Sequence, residues 1–160
     1  MKNEDLKGFK RETVEHITNV MKFIFKIKSE LSKRALAHDR SKFESPEIEI
    51  FEKMPPKKER PAYGTKEYDE NSNKMAPAVD HHRKVNRHHP EFFENGISGM
   101  NLVDVNEMFS DWMAAAIDHE KNGDIYKSIE VSAERFGISE QLVSIFKNTV
   151  KMMENEIRRG

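Results

Sequence analysis

Cysteine is absent from this chain of 160 residues, tryptophan occurs once, and the formal net charge is only -1. Without thiols, disulfides and thiolate metal sites are excluded, and any bound metal must take nitrogen and oxygen ligands. Such donors suit hard or borderline divalent ions: Mn, Fe, Ni, Co, Mg or Zn. Lys and Arg total 27 against 28 Asp and Glu, so charge selects neither nucleic acid nor an anionic membrane as partner. No apolar run approaches the roughly 20 residues that cross a bilayer. The N-terminal stretch MKNEDLKGFKRE lacks the apolar core of a signal peptide. The expected compartment is the cytoplasm, without membrane association, and homo-oligomerisation is left open.

Ten Phe and nine Met supply bulky core material although hydrophobic residues make up only 36% of the chain and charged residues 34%. That balance fits one small domain over residues 1–160, an all-α bundle of about six helices with wide solvated faces. Val20, Ile24, Ile27 and Leu31 repeat at threes and fours, which predicts one long helix from about Glu12 to Leu36, with a break allowed near Ser32. Ser45-Pro46-Glu47 reads as a helix start, Ser as N-cap and Pro at the first position, for a short helix ending near Met54. PPKKERP, beginning at Pro55, is a loop. Thr65 caps a helix running toward His89, which Pro77 should kink or interrupt. Asn101 caps the next, from Leu102 to about His119, and Asn122-Gly123-Asp124 is a turn. A helix from Ile125 to Phe136 stops at Gly137. Ser139 starts the last one, with Leu142, Ile145, Phe146, Val150 and Met153 on one face.

Six of the seven histidines fall between His16 and His89. His38-Asp39 sits at the end of the first helical region. His81-His82 and His88-His89 are pairs seven residues apart, two helical turns, so His82 and His89 share a face if the helix persists. Asp104, Glu107 and Asp111, spaced by three and four, line one stripe of a single helix beside Met108 and Trp112. A neutral imidazole donates one nitrogen to a divalent ion, and a carboxylate adds charge and can bridge two ions. Plainer roles compete. Asp104 can complete a capping arrangement with Asn101, the carboxylate stripe can be a solvated face, and His119 can simply oppose a helix dipole. Histidine pairs, an HD step and a carboxylate helix together in one cysteine-free domain point to metal binding.

In this order the residues resemble the HD-domain superfamily of metal-dependent phosphohydrolases. His16 matches its early helical histidine, His38-Asp39 its HD pair, and HDRSKF is similar to its HDIGK-type step, which puts Lys42 at the lysine. His88-His89 resembles the paired histidines of two-metal members, and MFSDWMAAA the helix of the closing ligand, Asp111. The pattern HDxSKF, NRHHPE and EMxxDWxAA also resembles an uncharacterised family of small phage and bacterial proteins, from about His16 to Thr149. There are departures. The segment between His82 and His88 is shorter than in the superfamily's cyclic-dinucleotide phosphodiesterases, and their GYP signature is absent, so that substrate is not implied. Pro90 follows the second histidine of the pair, which leaves open whether His88 or His89 ligates.

The resemblance implies an HD-like bundle holding one or two divalent ions. His16, His38, Asp39 and Asp111 would form one site, with His82 and one of His88 and His89 at a second. The expected activity is hydrolysis of a phosphate ester, as of a nucleotide, by a metal-activated water. Lys42, Arg83 and Arg87 would hold phosphate oxygens. Lys42, Glu91 and Glu107 are catalytic candidates, with Asp104 a supporting one. The alternatives are an HD-type diiron oxygenase and a non-enzymatic metal- or nucleotide-binding protein.

Overall fold

The computed structural model describes residues 3–56, 59, 65–118 and 124–157. Among these are six α-helices and no strand: α1 Asn3–Ala37, α2 Glu47–Phe51, α3 Lys66–Val85, α4 Leu102–Asp118, α5 Ile125–Phe136 and α6 Glu140–Ile157. The fold is all-α, as the periodicity predicts. Short 3-10 turns occupy Arg40–Phe43, Pro90–Phe92 and Gly96–Gly99. The chain divides into two units, Met1–His38 and Asp39–Gly160.

The first unit is α1, unbroken at Ser32. The Ser32 hydroxyl donates to the Lys28 carbonyl at 3.0 Å without ending the helix. Lys26 and Lys33 both lie 3.0 Å from Glu30, and these contacts, Lys33 foremost, hold its carboxyl below the ordinary value.

In the second unit, α4, α5 and α6 enclose the apolar core of Met108, Phe109, Ile125, Ile129, Ile138, Phe146 and Val150. Phe109 stacks on Phe146 with centroids 4.4 Å apart, and Trp112 meets the same ring edge-on at 5.8 Å. Aromatic pairs of this kind contribute about 0.5–1.5 kcal/mol beyond the area they bury. Asp124 caps α5 by accepting from the Tyr126 and Lys127 amides. Gly137 ends it at φ 63, a left-handed conformation that glycine adopts without a Cβ clash, and so turns buried Ile138 into the core. On α6, Phe146 and Val150 are buried, whereas Ile145, expected on the same face, is exposed. It sits about 100° around the helix from Phe146.

Helix α2 and the Arg40–Phe43 turn pack on α3. Helix α2 begins at Glu47 and ends at Phe51, short of Met54. The expected Ser45 cap does not form, because its hydroxyl bonds the Glu49 side chain instead. Thr65 caps α3 by accepting from the Tyr68 amide at 3.2 Å. The helix runs through Pro77, which is exposed, so the carbonyl it leaves without a helical donor can face water. It stops at Val85, before His88 and His89, because Asn86 turns extended and its side chain donates to the His82 carbonyl at 2.8 Å. Residues 57, 58, 60 and 61 of the proline-rich loop, the following residues 62–64, His119, and Asn122 and Gly123 of the expected turn lie outside the described residues.

Candidate metal centre

Three imidazoles meet beside the C-terminus of α3. His82 projects from the last turn of the helix, and His88 and His89 from the turn that follows. Their ring centroids are 4.2 to 5.5 Å apart. Each offers a nitrogen, and the three nitrogens lie within 4.8 Å of one another. The shared helical face expected for His82 and His89 is not what joins them. The helix ends between them, and the chain folds back so that all three rings converge.

Asp39 reaches the same cluster with φ 58 and ψ 13. It is the one described non-glycine residue with positive φ. Aspartate tolerates this region better than most residues, yet it still costs on the order of 1 kcal/mol. A strained residue retained at a cluster of ligands points to a functional constraint. Asp39 Oδ1 lies 3.0 Å from His82 Nε2 and 3.4 Å from His88 Nε2, while Lys42 pairs with Oδ2.

Behind the imidazoles stand buried carboxylates. Glu47, fully buried, places Oε2 2.9 Å from His82 Nδ1 and Oε1 2.8 Å from His81 Nδ1. Burial raises its pKa, but hydrogen bonds from His81, Ser41 and His82 outweigh burial and hold the carboxyl below the ordinary value. Glu107 Oε1 is 3.4 Å from His88 Nδ1. Each of these rings therefore has one nitrogen toward a buried carboxylate and the other toward Asp39. His89 differs. Its Nε2 is buried with no hydrogen-bond partner among the described residues. Burial foremost, then His88 and His82, pushes its pKa down to about 3, against a counter-pull from Asp111. The ring is neutral at physiological pH and keeps a lone pair for an electrophile.

The other expected site residues fall into distinct places. His16 stands exposed on α1, and His38 closes that first unit. Asp111 is half-buried on α4, close enough to influence His89. Arg87, expected on phosphate, is engaged elsewhere: Nε and Nη2 donate to the two oxygens of Asp104 at 3.0 and 2.9 Å, and its guanidinium lies over Phe92 and Phe93. Those hydrogen bonds push its pKa up further. Asp104 also accepts from the Asn101 amide at 3.1 Å while Asn101 Oδ1 accepts from the Asp104 amide, a reciprocal cap. Glu91 lies on the surface between Arg135 at 2.9 Å and Arg83 at 3.8 Å, with no contact to the imidazoles among those described.

Sequence reasoning missed Glu47, Ser41 and Asn86. Nothing local distinguishes Glu47 from Glu44, Glu49 and Glu52 around it. Only the packing of α2 on α3 buries it against the histidines.

The donor set is nitrogen and oxygen, preorganised, and includes a neutral imidazole with a vacant acceptor, so these residues fit a divalent ion. Comparison with curated proteins and with solved structures finds no match. A family model matches residues 5–159, nearly the whole chain, and the protein therefore belongs to the family of unknown function DUF5662.

Proposed function

We propose that the protein is a metal-dependent phosphohydrolase acting on a nucleotide or related phosphate ester. The observation that carries the proposal is the convergence of His82, His88, His89 and Asp39, with the His89 lone pair buried and unused. These residues would hold the ion, with Asp111 as a further ligand expected from the HD-like order. When bound, a divalent ion supplies Lewis acidity and lowers the pKa of a coordinated water. Asp39 contributes the negative charge that a cation needs, and Glu107 supports His88. Lys42 is half-exposed on Asp39 and can pivot toward a phosphate oxygen. A cavity of about 520 Å³ opens beside it, lined by Lys42, Phe43, Ile48, Phe51, Glu52 and Met75, and offers an apolar wall to the organic part of an ester.

The test is elemental analysis of the purified protein, followed by phosphate release from a nucleotide panel with Mn, Ni, Co, Fe or Mg. Stoichiometric metal and metal-dependent phosphate release are expected. Absence of both would overturn the proposal. Redox-active iron with oxygen uptake and no phosphate release would replace it with an oxygenase.

A further inference from the structure

A carboxylate buried without a lysine or arginine beside it needs a reason to be there. Glu47 is fully buried, and its described partners, Ser41, His81 and His82, converge on its carboxylate, which therefore serves as their acceptor. The protons around it can be assigned one by one. Asn86 Nδ2 has two hydrogens, and it donates to Ser41 Oγ at 2.7 Å and to the His82 carbonyl at 2.8 Å. Neither remains for His82 Nδ1, although that nitrogen is 3.0 Å from Asn86 Nδ2. Ser41 Oγ lies 3.0 Å from His82 Nδ1 and also bonds Glu47; its single hydrogen goes to the carboxylate, the stronger acceptor, and leaves its oxygen toward the ring. His82 Nδ1 therefore carries its own proton and donates it to Glu47 Oε2. His82 Nε2 is the nitrogen turned into the cluster, 3.0 Å from Asp39 Oδ1, and two such atoms this close need a proton or a cation between them.

We infer that Glu47 is a positioning residue that holds the Nδ1 proton of His82 and aims its Nε2 into the His82–His88–His89–Asp39 cluster. Glu47 touches neither substrate nor reacting atoms in this role. It acts through His82, by restricting ring rotation and by making the imidazole a stronger electron donor. Ser41 and Asn86 complete the clamp by using up the competing donors. His81 takes the other oxygen of Glu47 from the half-exposed side of α3 and holds the carboxylate in register. The inference rests on the metal reading for its affinity consequence, but the Nδ1 proton stands on the hydrogen bonds alone.

Two measurements decide it. Long-range nitrogen–proton NMR on histidine-labelled, metal-free protein at about pH 7.5 should show His82 protonated at Nδ1. Titration with Mn(II) alone and Co(II) alone should show Glu47→Gln binding roughly 10–100-fold more weakly than wild type. His81→Ala, which removes only the outer partner, should weaken binding less. A His82 ring bare at Nδ1, or wild-type affinity in a folded Glu47→Gln variant, would overturn the inference. Should that variant not fold, the wild-type Nδ1 proton decides alone. Should the wild type bind neither ion, the metal reading fails and the Nδ1 proton again decides the role of Glu47.

Discussion

Acid should destabilise the metal-free protein in a way traceable to His89. In the folded protein this ring titrates near 3, against an ordinary value of 6.5. Its folded-state pKa is depressed, so between those values the unfolded chain binds a proton that the folded chain refuses. Stability from this group is complete above about pH 6.5 and falls as pH drops, until the folded ring itself protonates. Each pH unit in that window costs at most about 1.36 kcal/mol. At about pH 4.5 the loss is about 2–3 kcal/mol relative to neutral pH, a large share of the 5–15 kcal/mol that holds a typical domain together. Urea unfolding in chelator, across about pH 4.5 to 7.5, measures it. The control is His89→Gln, which keeps a polar side chain but cannot titrate. Glu47, with its depressed pKa, adds an acid-side loss of its own at lower pH, but that loss is common to both proteins and cancels in the difference. The wild type should lose about 2–3 kcal/mol more than the variant over this range. Parallel curves would show that His89 titrates normally and does not occupy a desolvated position.

The Arg87–Asp104 clasp makes a second prediction. Arg87→Ala removes the cation from a fully buried carboxylate and should cost roughly 3–5 kcal/mol, whereas Asp104→Asn leaves a half-exposed arginine that water can solvate and should cost less, about 2 kcal/mol. Thermal melts of both variants read the order, and a reversed order would contradict the burial asymmetry. The strained turn makes a third. Asp39→Gly and Asp39→Ala should both lose metal, but the glycine variant should be the more stable by on the order of 1 kcal/mol, since alanine retains a Cβ at φ 58. Metal retention by both would remove Asp39 from the site.

The helices were legible because periodicity and end signals are local. Apolar residues at threes and fours mark α1, and Thr65, Asn101 and Gly137 mark where helices begin and end. The histidines were legible as chemistry because imidazoles without cysteine restrict what can bind. What sequence could not decide is which side chains meet. His82 and His89 looked like neighbours on one helix, but Asn86 ends it, and a turn brings in His88 as well. Arg87 looked like a phosphate ligand until burial of Asp104 on α4 required a bidentate partner. Glu47 looked like one surface glutamate among several until α2 packed on α3. The physical reason is the same in each case. Helix formation depends on neighbours a few residues apart, whereas the pairing of a buried charge depends on residues 17 or 35 positions away that only tertiary packing brings within hydrogen-bond reach.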